Sequence, residues 1–254
     1  MPELNKTGCE KTKTPLVRRL RALLPWFVVI VLTPATIAVG AFAGSRSYII
    51  VSVLVVVYSM IPFFVQFEQR KPQARELVAL AVMIALTVAA RAAFVFVPNF
   101  KPMAALVMIT GIAFGASSGF LCGSVSMLVS NFIFGQGPWT PFQMLGFGLC
   151  GFVFGFLAEH KVIPRRNWSK RQRVAVSAAG FAFYLVIAGP ILDTSSVFWI
   201  LSSITPEAVI AIYLAGVPMN LAQAIATFIT LFLIGNAILS KLERVKVKYG
   251  MMQG

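Results

Sequence analysis

The chain is short of charge, and of acid above all. Only 12% of its 254 residues are charged, about half the ~25% of an ordinary soluble domain. Eight are acidic: Glu3, Glu10, Glu68, Glu76, Glu159, Asp193, Glu207 and Glu243. All eight read as belonging to tails, loops or helix ends. An ion-coupled carrier keeps a carboxylate inside a span, so a stand-alone secondary transporter of a small organic solute is the weaker alternative. The single histidine, His160, excludes a histidine-built metal site. The three cysteines, Cys9, Cys122 and Cys150, have neither disulfide nor metal spacing. Cys122 and Cys150 read as small packing residues, and no cofactor is expected. There is no GxxxxGK[ST] phosphate loop and no HExxH zinc motif. An intramembrane enzyme acting on lipid would lack paired catalytic groups, so the chain is expected not to be an enzyme.

What is present is apolar. Hydrophobic residues make up 58% of the chain, and mean hydropathy is +0.84. Several runs approach the ~20 residues that a spanning helix needs. The net charge of +14 is spread in a telling way. Nineteen of the 22 Lys and Arg fall in four places: the first 24 residues, the 68–75 loop, the 159–173 loop and the C-terminal tail. Such alternation marks the cytoplasmic side of a multi-pass cell-membrane protein. It places both termini in the cytoplasm and brings basic groups to anionic lipid heads of the bilayer. Nucleic acid is not an expected partner.

The reading is an all-α integral membrane protein of eight spans, near 25–43, 48–66, 76–97, two within 103–134, 141–158, 174–192 and 207–239. The stretch 103–134 has no charged break, and charge parity puts a division near Ala116–Gly119. Gly216 and Pro218 are expected to interrupt the last span. Gly111, Gly115, Gly119 and Gly123 recur every fourth residue, and Gly146, Gly148, Gly151 and Gly155 form a second group. Small residues let helix backbones approach closely in lipid.

The segment NFIFGQGPWTPFQM, residues 131–144, is the most informative. Irregular polar backbone at membrane depth needs protein or water to satisfy it. Two readings stay open here: a shaped pocket lip, or a tight turn with an interfacial Trp. Arg91 is the one charge well inside a span. It is either a structural cation, snorkelling or paired with Asp193, or a ligand contact. Candidate ligand-binding residues at the outer ends are Arg91, Asn99, Asn131, Gln136, Trp139, Gln143, Asp193, Asn220 and Gln223. Apolar walls with a few polar groups suit a small organic molecule. Ala81, Ala85, Ala89 and Ala93 make a smooth stripe, either for internal packing or for sliding contact with another membrane subunit.

Four stretches resemble the substrate-binding membrane subunits (S components) of energy-coupling factor transporters, which take up vitamins. They are ELVALAVMIALTVAARAAFVFVPNFKP (76–102), GIAFGASSGFLCGSVSMLVSNFIFGQGPWTPFQM (111–144), GFGLCGFVFGFL (146–157), and LAGVPMNLAQAIATF (214–228) with the basic tail KLERVKVKYG (241–250). The resemblance implies a six-helix bundle over 76–240, with two extra helices over 25–66 joined to it by a 67–75 linker. Basic tails, 1–24 and 241–254, flank the whole. It implies a ligand near the outer face, under the loops 98–102, 135–141 and 193–206. It also implies partners: a coupling transmembrane (T) subunit meeting Ala81, Ala85 and Ala89, and two ATPase subunits supplying the energy. Cobalamin or a related corrinoid is the first-ranked vitamin, above queuosine precursors.

Overall fold

The computed structural model describes residues 35, 48–69, 72–201 and 205–250. Apart from residue 35, the span expected near 25–43 and the tail 1–24 fall outside the described residues. All described regular structure is helical. The elements are α1 (Tyr48–Gln69), α2 (Ala74–Ala93), α3 (Met103–Phe114), α4 (Ala116–Phe134), α5 (Thr140–Glu159), α6 (Lys170–Ile200) and α7 (Pro206–Lys248). Six of these are long and apolar enough to cross a membrane; α3 is not. The eight-span count is therefore not established. With 12 residues, α3 rises about 18 Å at 1.5 Å per residue, short of a ~30 Å hydrocarbon core. Every residue of α3 is buried. It is a core helix wrapped by its neighbours.

The chain breaks between α3 and α4 at Gly115, one residue before the expected 116–119 division. Gly115 has φ 96°, a conformation that glycine adopts without steric cost. Charged groups from distant elements hold both exposed helix ends at this break. Lys246 Nζ donates to the Ala113 carbonyl at 2.8 Å, and the Ala116 N–H donates to Glu159 Oε1 at 2.9 Å. Ser118 Oγ donates to Glu76 Oε1 at 3.1 Å. These contacts gather the ends of α2, α5 and α7 at one pole, which also carries the basic 159–173 loop. We call it the basic pole.

The glycines do pack backbone on backbone. A Cβ on Gly155 would lie 2.6 Å from Ala116 Cα, and one on Gly119 would lie 2.6 Å from Gly111 Cα. A Cβ on Gly151 would run into the Gly119 carbonyl. Hence α3, α4 and α5 form a tight glycine-lined trio. The larger core side chains, including Phe114, Phe154 and Met108, fill the space around it.

Two expectations about helix ends are corrected. Residues 193–200 are not a loop: α6 starts at a Ser169–Gln172 capping box, passes a π-helical turn at Tyr184–Ala188, and runs on to Ile200. Likewise α7 is not interrupted at Gly216 or Pro218. It is α-helical over Pro206–Thr230, π-helical over Leu231–Gly235 and helical again to Lys248. In lipid an open backbone has no water to satisfy it, so a helix that widens locally is favoured over one that stops. The expected third span is also shorter: α2 ends at Ala93 and not at 97, and the chain turns over residues 94–99.

Candidate functional site

The site lies at the pole opposite Gly115, and it begins with Asn131. This residue sits in the last turn of α4 and is fully buried. Its amide is used on both sides. Asn131 Nδ2 donates to Thr140 Oγ1 at 3.0 Å and to Gln143 Oε1 at 2.8 Å. Its Oδ1 accepts from Arg91 Nη1 at 2.8 Å. Arg91 also donates to Ser130 Oγ at 2.6 Å and lies 4.7 Å over the Phe134 ring. Thr140 Oγ1 donates to Gln136 Oε1 at 2.9 Å, and Gln136 Nε2 donates to the Leu128 carbonyl at 3.1 Å. Gly135, at φ 110°, ends α4, and Pro141 stands in the first turn of α5 with its fixed φ. The polar segment thus stitches the end of α2 to the facing ends of α4 and α5. It leaves Gln143 with its amide hydrogens available, because Gln143 uses its oxygen as the acceptor.

A second wall comes from α6 and α7. Asn220 Nδ2 donates to Asp193 Oδ2 at 2.6 Å. Gly189 and Gly216 make room for that pair: a Cβ at either would come within 2.6 Å of Asn220 or Asp193 side-chain atoms. Below it, Tyr184 donates to Gln223 Oε1 at 3.0 Å. Thr194 Oγ1 lies 2.7 Å from the Tyr213 hydroxyl and also donates to the Pro190 carbonyl. Trp139 of the first wall meets Trp199 of the second, with centroids 5.7 Å apart and planes at 85°.

Between the walls is a cavity of about 290 Å³ lined by Trp139, Gln143, Leu192, Asp193, Ser195, Ser196, Trp199, Met219 and Asn220. Four of the nine residues singled out from the sequence therefore share one cavity: Trp139, Gln143, Asp193 and Asn220. Arg91, Asn131 and Gln136 stand behind it, linked to it through Gln143. Gln223 lies one turn below Asn220 on α7, bonded to Tyr184. Asn99 occupies the turn before α3 at φ 55° and does not line the cavity. The suggested pairing of Arg91 with Asp193 is not found: Arg91 is bound to Ser130 and Asn131, and Asp193 to Asn220. Lys101, in the turn before α3, is held below the usual lysine value by burial and then by the neighbouring Arg91 charge. Among the described residues Arg91, Lys101 and Asp193, with Glu207 in the first turn of α7, carry the charge of this pole.

Five lining residues, Leu192, Ser195, Ser196, Trp199 and Met219, are not among the nine singled out from the sequence. Leu192, Ser195, Ser196 and Trp199 follow i, i+3, i+4, i+7 spacing, the signature of one helix face. Reading 193–206 as a loop hid that signal. Ala81, Ala85 and Ala89 are all exposed on α2, as are Ala92 and Ala93, so the stripe faces away from the bundle.

A family model described as ECF-type riboflavin transporter, S component, matches residues 71–240, well over half of the chain. That description names riboflavin and lends no support to a corrinoid. A curated relative, a UPF0397 protein of Clostridium perfringens (strain SM101 / Type A), is 25% identical over 160 residues, covering 61% of this chain and 78% of the relative. No solved structure matches the chain. The matched segment holds α2 to α6 and most of α7, and with them every residue of both cavity walls. The chain belongs to the S-component family of ECF-type riboflavin transporters, the membrane-embedded substrate-binding subunits of these importers.

Proposed function

We propose that this S component binds riboflavin, or a flavin with the same ring edge, in the cavity between α5 and the α6–α7 pair. The cavity itself carries the proposal. At about 290 Å³ it stands at the lower end of the ~300–1,000 Å³ typical of small-molecule sites. It suits a flat tricyclic ring and is too small for a corrin macrocycle with its side chains. Trp139 and Trp199 offer one ring face and one ring edge, the two surfaces on which a planar π-system packs. The pyrimidine edge of a flavin alternates carbonyl acceptors with an N–H donor. Gln143 and Asn220 each carry both an acceptor and donors, and Asp193 is an acceptor for a sugar-alcohol hydroxyl. Arg91, Asn131 and Gln136 hold Gln143 in place.

The same reading assigns the partners. As an S component without a phosphate loop, the chain works with a T subunit and two ATPase subunits. The exposed alanines of α2 are the T-subunit contact. Tail and loop charges support a cytoplasmic basic pole and an outer cavity.

The test is titration of the purified full-length protein with riboflavin, followed by quenching of flavin fluorescence, with cobalamin in a parallel arm. Trp139→Ala should weaken riboflavin binding about thirtyfold, since truncating an anchor aromatic costs ~2 kcal/mol and ~1.4 kcal/mol is tenfold. Cobalamin binding without riboflavin binding would refute the substrate. Unchanged affinity in both Trp139→Ala and Gln143→Ala would refute the site.

A further inference from the structure

A second cluster lies at the basic pole. Arg173 and Ser177 lie one turn apart near the start of α6. The Arg173 Nε and Ser177 Oγ atoms are buried, and neither has a hydrogen-bond partner among the described residues. Native proteins rarely leave such groups unsatisfied, and each one calls for an explanation. The Arg173 guanidinium lies 5.9 Å from the centroid of the Phe232 ring on α7. Phe232 belongs to the π-helical turn Leu231–Gly235, a local widening that occurs often at functional sites. It stacks on Phe228, with centroids 6.1 Å apart and planes at 8°. Phe228 in turn lines a groove of about 320 Å³ with Ala178, Phe181 and Ile225. Along α6 the order is Arg173, Ala178, Phe181; along the antiparallel α7 it is Phe232, Phe228, Ile225. The groove therefore starts beside the cation and leads toward the middle of the bilayer. Ala178 and Ile225 are exposed to the lipid side.

A cationic mouth on an apolar slot matches an amphiphile with an anionic head. We propose that this groove is a specific site for an anionic phospholipid in the leaflet at the basic pole. One acyl chain lies along Ala178, Phe181, Ile225 and Phe228, and the phosphate accepts from Arg173. Arginine has donors only, in a planar fork that fits phosphate oxygens. Lys170 and Arg171 add cationic charge beside it, and no acidic residue occurs between His160 and Leu192. The surrounding charge therefore favours a head with net negative charge over a zwitterionic one. Inorganic phosphate would satisfy Arg173 and leave the slot without a purpose. Arg173 precedes the cavity residue Leu192 by 19 residues on α6, about 28 Å of helix rise, and the site does not rest on the flavin reading.

The test is native mass spectrometry of the full-length protein in detergent. Dioleoyl phosphatidylglycerol and dioleoyl phosphatidylcholine are titrated separately and in competition. Wild type should favour phosphatidylglycerol about fivefold or more, the equivalent of the ~1 kcal/mol that one Lys or Arg contributes near an anionic surface. Arg173→Gln should bring the ratio close to one, and Arg173→Lys should keep most of it. Ala178→Trp, which fills the slot, should weaken both lipids and leave the headgroup charge untouched. Millimolar inorganic phosphate should not displace the lipid. Equal binding of the two lipids by wild type, an unchanged ratio in Arg173→Gln, wild-type binding in Ala178→Trp, or displacement by phosphate would each overturn the proposal.

Discussion

Asn131 gives the sharpest separation of support from contact. Asn131→Ala removes three hydrogen bonds at once: two donated, to Thr140 and Gln143, and one accepted from Arg91. Water-based figures would assign ~0.5–1.5 kcal/mol to each neutral bond and ~1.5–3 kcal/mol to the charged one. Those figures overstate the loss here. Side-chain hydrogen bonds in membrane bundles average ~0.6 kcal/mol, because the unfolded chain in lipid also finds partners. Arg91 moreover keeps Ser130 as an acceptor at 2.6 Å. Three such bonds give a loss of about 2 kcal/mol, roughly thirtyfold in the folding equilibrium. The effect on ligand is indirect and smaller. Gln143 loses its anchor, and re-immobilising one such side chain costs ~0.5–1.5 kcal/mol, about two- to tenfold in affinity. The assays are unfolding in detergent, monitored by tryptophan fluorescence, and riboflavin titration. A drop in affinity of a hundredfold or more with unchanged stability would make Asn131 a direct ligand contact. No change in either quantity would mean that the network holds nothing.

Three further outcomes are expected. Ala85→Trp places an indole on the exposed stripe of α2, so it should abolish uptake and co-purification with the T subunit while ligand binding by the isolated chain persists; lost binding with an intact complex would refute the assignment. Gly151→Leu drives a side chain into the Gly119 backbone and should give no monodisperse protein, whereas Gly135→Ala meets no atom within 4 Å and should cost only the ~1–3 kcal/mol of backbone strain, read by thermal unfolding. Gln136 is exposed in the α4–α5 connection, so Gln136→Cys should react with an impermeant thiol reagent from outside the cell; reaction from the cytoplasmic side alone would invert the topology.

Much of the fold was legible because lipid imposes simple rules. Apolar length located α1, α2, α5, α6 and α7. Glycine spacing foretold the backbone contacts among α3, α4 and α5, since only glycine permits them. Length alone does not settle whether a helix enclosed by protein counts as a span. The run 103–134 holds one core helix of 12 residues and one spanning helix of 19, and an uncharged sequence carries no mark of which part meets lipid. Polar residues misled in the opposite sense. DTSS, 193–196, has the composition of a loop, yet it lies within α6, where Asp193 is bonded to Asn220 and Thr194 meets Tyr213. These partners are distant in sequence, and no local pattern announces them. For the same reason Arg91 could be named but not placed: its acceptors are 39 and 40 residues away.

The two cavity walls differ in kind, and that difference bears on how binding is felt. Trp139 caps the start of α5 and Gln143 stands in it; the α5 backbone is locked against α3 and α4 through Gly111, Gly119, Gly151 and Gly155. Close-packed backbones have no slack to give, because shifting one glycine contact moves a whole helix. Leu192, Asp193, Trp199 and Asn220 stand on α6 and α7, each of which carries a π-helical turn. Across the seam, side-chain contacts such as Gly146 against Leu192 and Trp139 against Trp199 take the place of backbone packing. Side chains change rotamer on far shorter timescales than packed helices shift. A ligand in the cavity touches both walls at once, so it adds contacts across the weaker joint. On the proposed reading, such a ligand would draw α6 and α7 onto the α3–α5 trio. The exposed face of α2 is bound to that trio through Arg91 and Asn131 and so lies on the fixed side of the seam.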